Sequence, residues 1–375
     1  MLKTCIIGIG NCGNQIAELA KITKNIDAVA INSSQHDLVN VKNIPAILIG
    51  DEKGAGKERT AAKKFVRSGV EKILKNDKFD EMLTKQDVIF IVSSTGGGTG
   101  SGMTPMVTEI LSRRYNTKAF VVVEVYPPIK ESIGAQQNSM EYLAELRQNL
   151  PNATYMCYDN NTYSQLASSE MMQKVNEEIV EAIDILRGEY LYSTPYNSID
   201  EKDMLKLLST PGRLAVYQIA DFNEKALDDS SLADRMINCI RSESSNVELE
   251  ADGHIKRFGA ITNISPKINT KYYPGTNDSV CNDIGEPVEA FEHNYINSDP
   301  DESNRYIAIF SGMSIPDDRL NKIVQRIEDG KKELGITKES SVLDTFDSEE
   351  LNDLRFDEKS SSNDFNLDDV MNKYF

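Results

Sequence analysis

Ser93-Ser94-Thr95-Gly96-Gly97-Gly98-Thr99-Gly100-Ser101-Gly102 follows an apolar run at 88–92 and precedes a helical pattern at 103–114, with Pro105 in its first turn. Five of the seven residues from Gly96 to Gly102 are glycine. Each glycine costs conformational entropy on folding, and a structural turn needs one or two. So dense a run is explained by main chain wrapping an anion closely at the start of a helix, with the Thr and Ser hydroxyls as further donors. No Gly-Lys-Ser/Thr closes it, so it is not a Walker A loop. The competing reading is a flexible hinge.

Working outward, a second glycine loop, Gly8-Ile9-Gly10-Asn11-Cys12-Gly13-Asn14-Gln15, also lies between a strand pattern and a helix. Alone it fits the dinucleotide fingerprint Gly-x-Gly-x-x-Gly, and a dinucleotide-binding oxidoreductase would explain it. Such a site wants an acidic residue at the end of the second strand, where this chain has Asn32. That class also leaves the 96–102 loop unexplained. Strand-like runs at 4–7, 27–31, 46–49, 88–92, 119–125 and 153–158 alternate with helical patterns such as 59–74 and 103–114. Continuous Ile/Val runs in strand–helix–strand order predict a parallel, doubly wound α/β sheet with ligands at the strands' carboxyl ends.

A long helical pattern follows at 169–191. After Pro211-Gly212, strand patterns at 214–220, 258–264 and 306–310 predict a smaller α/β unit. The polar stretch 265–305 reads as long surface loops. A last helix is expected from about Pro316, with Leu320, Ile323, Val324 and Ile327 on one face. The expected division is 1–168, a central helix 169–191, a connection 192–212, a C-terminal unit 213–336, and an acidic, mostly disordered tail 337–375. In that tail Leu367, Val370, Met371 and Tyr374 make one apolar stripe, expected to dock on a basic, grooved surface of a neighbouring subunit or an adaptor.

The chain has 375 residues and a formal net charge of −18, which disfavours direct, nonspecific DNA binding. Its five cysteines are widely spaced and unpaired in motif, so neither a zinc site nor a disulfide framework is expected. No signal peptide and no membrane-length apolar run are legible, and a cytoplasmic location is the expectation.

The 96–102 loop resembles the signature loop of the tubulin/FtsZ superfamily, and 10–16 is similar to tubulin's own version of the first loop. The resemblance covers about residues 1–330 and is strongest over 1–215. It implies a Rossmann-type GTP-binding domain, a central helix, a smaller C-terminal domain, head-to-tail filaments, and GTP hydrolysis completed between subunits with Mg2+. It assigns GTP/GDP binding to Gly10, Asn11, Cys12 and Gln15 in the first loop, and to Gly96, Gly97, Gly98, Thr99, Gly100 and Ser101 in the second. Gly54, Ala55 and Gly56 correspond to the γ-phosphate loop, and Asp51 to a magnesium contact through water. Glu131 corresponds to a ribose contact, and Asn160 and Asn176 to the guanine contacts. An amide suits guanine, offering an acceptor to N1–H and N2–H and a donor to O6.

Asp200 and Asp203 keep the spacing of the family's catalytic acids, which are projected into the next subunit's nucleotide pocket. Read without the resemblance, they are an acidic turn opening a helix. Ala135 stands where FtsZ proteins have arginine, and Ser198 where they have asparagine. The tubulin-like first loop, the altered catalytic loop and the tail make TubZ or phage-encoded tubulins the best subfamily match. That implies plasmid or phage DNA segregation through a DNA-binding adaptor, with no membrane partner. An FtsZ-like cell-division GTPase is the runner-up within the class, and a non-hydrolysing filament protein would have no use for the two acids.

Overall fold

The computed structural model describes residues 1–242, 244–247, 249, 254–297, 303–333 and 366–374. Among the described residues ten strands form one sheet in the order β3-β2-β1-β4-β5-β6-β7-β10-β8-β9. They are β1 Thr4–Ile9, β2 Asp27–Ser34, β3 Ala46–Glu52, β4 Val88–Ser94, β5 Ala119–Tyr126, β6 Thr154–Asp159, β7 Gly212–Phe222, β8 Ile255–Ile264, β9 Pro287–Ile296 and β10 Asn304–Met313. β1 to β6 are all parallel, as their uninterrupted apolar runs require of strands covered on both faces. β7 joins them through two register pairs, Thr154 with Gly212 and Tyr155 with Arg213. β10 then runs antiparallel between β7 and β8, and β9 lies parallel to β8 at the sheet's edge.

Four elements depart from the expectation. The pattern at 59–74 is two helices, Arg59–Gly69 and Glu71–Leu74. Gly69 lets the first lie close on β3, because a Cβ there would meet Ile49 Cγ2 at 2.7 Å. The helix after β4 begins at Thr99, so the end of the glycine run is its first turn. The central helix, Ser168–Leu186, ends five residues before 191, and Gly188 follows at φ +98°. The stretch read as surface loops, 265–305, holds helices Pro266–Lys271 and Thr276–Ile284 as well as β9. Punctuation for those helices was present in the sequence: Ser265 caps the first, with Pro266 at its start, and Gly275 and Gly285 flank the second.

The last expected helix is seen at Asp317–Glu333. The terminal stripe forms a helix too, Leu367–Lys373, capped by the Asn366 side chain. Its seat is on the same chain rather than on a neighbour. Val370, Met371 and Tyr374 are buried in one cluster with Ala62 and Val66 of helix Arg59–Gly69 and with Met103 to Leu111 of helix Thr99–Arg114. Lys373 Nζ pairs at 2.7 Å with Glu109, which is 1% exposed. The tail supplies the cation of this pair and helix Thr99–Arg114 supplies the acid. The disorder expected for 337–365 lies outside the described residues. Among the described residues no helix is long and apolar enough to cross a membrane.

Candidate functional site

Two helices open side by side at the carboxyl ends of β1 and β4: Gly10–Lys24 and Thr99–Arg114. Neither has a side-chain cap, and neither has an acid in its first turn. A helix start leaves N–H groups unpaired and carries partial positive charge, so the two together suit a polyanion. Glycine is required by the closeness of the backbones. Gly10 has φ +74°, and a Cβ on it would meet Gly100 N at 2.9 Å. A Cβ on Gly13 would lie 2.1 Å from Val92 O. Gly97, by contrast, faces open space.

A third loop closes over the second. A Cβ on Gly98 would lie 2.7 Å from Lys57 Cα, and Gly54 N donates to Ser33 O at 3.1 Å. Gly54, Gly56 and Lys57 all hold positive φ, and Ala55 is buried between them. Side chains then fix the assembly. Thr99 Oγ1 and Ser33 Oγ share a hydrogen bond of 2.7 Å. Ser101 Oγ donates to Gly97 O. Asn138 Nδ2 donates to Lys57 O at 3.0 Å and to Gly96 O at 3.1 Å. Buried Asn14, in the amide orientation its surroundings satisfy, donates to Gly8 O, Gly10 O and Ile31 O and accepts from Asn32 Nδ2. Asn32 also accepts from the Ser33 and Ser34 amides. The position where a dinucleotide site needs a carboxylate is thus an amide already engaged in bracing the loop.

Of the remaining first-loop residues, Asn11 and Gln15 are exposed and linked to each other at 3.3 Å. Cys12 is half-buried, and burial pushes its thiol up to about 12, which keeps it protonated at neutral pH. Asp51 is exposed and accepts only from Lys53 N, at 3.2 Å, which leaves carboxylate capacity for a hydrated cation. Among the described residues no group of three or more His, Cys, Asp or Glu could cage a metal. That donor set fits a magnesium ion held chiefly by phosphates and water, the usual mode for this ion. Glu131 reaches the third loop through Lys57, at 3.6 Å.

Asn160 opens the 3-10 turn Asn160–Tyr163 after β6 and is half-exposed. Asn176 lies, half-buried, on helix Ser168–Leu186, which packs along helix Gly10–Lys24. The turn is held by groups that sequence reasoning missed. Buried Arg319, from helix Asp317–Glu333, donates to both Asp159 oxygens at 2.5 and 3.0 Å and to Pro127 O at 2.7 Å. Asn161 Oδ1 accepts from Ile129 N at 3.2 Å. The apolar stripe of the last helix was visible, but nothing in the sequence marks Arg319 as reaching back 160 positions.

Asp200 and Asp203 are brought together with each other and away from everything above. Asp200 is the N-cap of helix Glu201–Leu208 and accepts from Asp203 N at 2.9 Å, while Asp203 Oδ2 accepts from Asp200 N at 3.3 Å. The Asp203 amide holds the Asp200 carboxyl below the usual carboxylate range. Topology fixes their end of the molecule. They precede β7, whose start pairs with the start of β6, and Glu201 bonds the Met1 amine at 3.2 Å, just ahead of β1. The acids therefore lie at the amino ends of the parallel strands, and the glycine loops at the carboxyl ends. Helix Ser168–Leu186, 19 residues and about 28 Å long, bridges the two ends.

The family profile described as "Tubulin/FtsZ family, GTPase domain" matches residues 3–168. The chain is 26% identical over 272 residues to the tubulin-like protein CetZ of Pyrococcus abyssi, covering 69% of this chain and 72% of that protein. It is 31% identical over 135 residues to the tubulin-like protein TubZ of Clostridium botulinum C phage, covering 36% of this chain and 37% of that one. The fold superposes on CetZ2 from Haloferax volcanii, solved as a GTPgS bound protofilament, with a TM-score of 0.72 at 18% identity, covering 88% of this chain and 100% of the other.

Proposed function

We propose that this chain, whose residues 3–168 form a GTPase domain of the tubulin/FtsZ family, binds GTP at loops 8–15, 54–57 and 96–102, assembles head to tail, and hydrolyses GTP at the junctions between subunits. The observation that carries the reading is the separation of the two halves of the chemistry. Glycine loops stand at one end of the parallel strands, and a preorganised pair of carboxylates, Asp200 exposed and Asp203 half-buried, stands at the other. One chain cannot bring its own acids to its own loops. A second copy stacked end on end can, and the protofilament of CetZ2 is an assembly of related fold.

In that arrangement main-chain N–H groups of Gly10 to Cys12, Gly54 to Gly56 and Gly96 to Ser101 hold phosphate oxygens. Asn160 and Asn176 select guanine over adenine, and Glu131 faces the ribose. A hydrated magnesium ion held by phosphates and by Asp51 through water would neutralise charge on the transferring group. Asp200 and Asp203 of the neighbouring copy orient and polarise the attacking water. For cargo, the reading is DNA positioning through a basic DNA-binding adaptor. The partial likeness to a phage-encoded tubulin-like protein is compatible with it, and the net charge of −18 disfavours direct, nonspecific DNA binding, so an adaptor would make the contact. The alternative is a filament that carries no DNA. Co-sedimentation of assembled protein with DNA, alone and with a basic DNA-binding protein from the same source, separates the two.

Turnover measured across protein concentration tests the main reading. The rate per subunit is expected to rise steeply above an assembly threshold with GTP and to stay at background with ATP. A rate per subunit independent of concentration, or equal use of ATP, contradicts it.

A further inference from the structure

The two carboxylates sit at the end of a connection, residues 187–200, that has no regular structure of its own. A loop this long, exposed at half of its positions, needs outside anchors to hold a catalytic geometry. The anchors come from four consecutive residues of one strand. Glu292 Oε2 accepts from Asn197 Nδ2 at 3.3 Å. His293 Nδ1 accepts from Ile199 N at 3.4 Å. Asn294 N donates to Asn197 O at 2.9 Å, and Asn294 O accepts from Thr194 Oγ1 at 2.6 Å. The Tyr295 ring packs on Tyr192 with centroids 5.0 Å apart. Among the described residues β9 is the last strand of the sheet, so its outer main-chain groups have no further strand to pair with. The acidic loop occupies that free edge.

His293 is the member of this set nearest the chemistry. It is 1% exposed, and its acceptor nitrogen meets the amide of the residue directly before Asp200. The neighbouring Tyr295 ring packs on Tyr192, so nearby residues of β9 hold both ends of the 192–199 segment. β9 is itself fixed in register, because Thr262 Oγ1 of β8 bonds Asn294 Oδ1 at 2.6 Å and His293 O at 3.3 Å.

We infer that His293, presented by the edge strand β9, is a positioning residue for GTP hydrolysis: through the Ile199 amide it sets where Asp200 and Asp203 stand at the subunit junction. This rests on the proposed role of the two acids in a neighbouring copy's site. Small displacements of a catalytic group cost rate steeply, up to about 100-fold per ångström, while leaving binding of the nucleotide on the far side of the subunit untouched. The contribution is one of geometry, so an acceptor of similar reach should replace the imidazole. In asparagine, Oδ1 occupies roughly the place of Nδ1; leucine fills the volume without any acceptor.

The test compares wild type, His293→Asn, His293→Leu and Thr194→Val for GTP affinity, sedimentable polymer, and turnover per polymerised subunit. The expected result is about 10-fold or greater loss of turnover in His293→Leu, recovery to within about 3-fold in His293→Asn, and a smaller loss in Thr194→Val, with affinity and polymer unchanged. Thr194 lies on the half-exposed side of the loop, so its variant keeps the test decisive should His293→Leu fail to fold. The inference is overturned if His293→Leu turns over normally per polymerised subunit. It is equally overturned if both His293 variants lose polymer and turnover together, or if Thr194→Val and wild type are indistinguishable when His293→Leu does not fold. Failure of the underlying reading looks different: Asp200→Ala would then retain turnover, whatever His293 does.

Discussion

The glycine loops and the acidic loop solve the same problem, holding reactive geometry at an exposed end of the sheet, with different materials. At the carboxyl ends of β1 and β4, main chain lies directly on main chain, and each loop leads within a few residues into its own helix. At the amino ends, residues 192–199 are held by β9, whose His293 is 94 positions from the amide it receives. The first arrangement is rigid by steric necessity, because no side chain fits at Gly13 or Gly98. The second is held by a few hydrogen bonds along a sheet edge, and can shift when its neighbour shifts. A binding site wants the first kind of support. A group that must meet a partner at assembly can use the second.

The largest effect is expected where this contrast breaks down. The turn Asn160–Tyr163, proposed above to face guanine, lies with the glycine loops, yet the strand end before it is tied by Arg319 from the far end of the chain. Arg319→Leu leaves Asp159, 8% exposed, without its counter-charge and should cost about 3–5 kcal/mol in chemical denaturation, together with GTP affinity. A loss under 1 kcal/mol would mean that water replaces the guanidinium. Gly13→Ala comes next. Its Cβ would stand 2.1 Å from Val92 O, so helix and strand must part, at about 1–3 kcal/mol and with weaker GTP binding by titration.

Asp200→Ala sharpens the contrast. It removes an N-cap, worth about 0.5–2 kcal/mol of stability, and should abolish turnover while leaving monomer GTP affinity unchanged. Reduced affinity in the isolated subunit would place Asp200 on its own nucleotide and undo the comparison. Smallest of all is Val370→Asp in the terminal helix. It should shift global stability by about 1 kcal/mol or less, since only the end of the chain leaves its seat, and yet remove hydrogen-exchange protection from 367–373. Retained protection there would show that Lys373 and Tyr374 suffice to hold the helix.

The same contrast explains what could be read in advance. The parallel strands were legible because burial on both faces leaves unbroken apolar runs such as Val88 to Val92. The glycine loops were legible because their cause is local: backbones that touch exclude side chains. Even so, Thr99 to Gly102 read as loop although they are the first helical turn, since low helix propensity is overridden when a helix start must approach another backbone. β9 was not legible. As an edge strand it carries Glu289, Glu292, His293 and Asn294 and is largely half-exposed, so it lacks the apolar signature of a central strand. The stripe of the terminal helix could be read from spacing, but its seat on helices Arg59–Gly69 and Thr99–Arg114 could not, because nothing local names the surface an amphipathic helix will choose. Asp200 and Asp203 were legible in spacing and in capping habit alike, and the two readings coexist: the capping box is what fixes the pair in place.

The central claim, that the acids of one copy act on the GTP of the next, has one direct measurement. The variant carrying both Asp200→Ala and Asp203→Ala is loaded with γ-labelled GTP, freed of excess nucleotide, and mixed with wild-type protein in unlabelled GTP. Labelled phosphate released in a single turnover is then followed. If the acids act in the neighbouring subunit, wild-type protein triggers release from the variant's own nucleotide, rising with the wild-type fraction, while the variant alone releases none. If the label stays on the variant at every ratio although the two co-sediment, each chain depends on its own acids and the account is wrong.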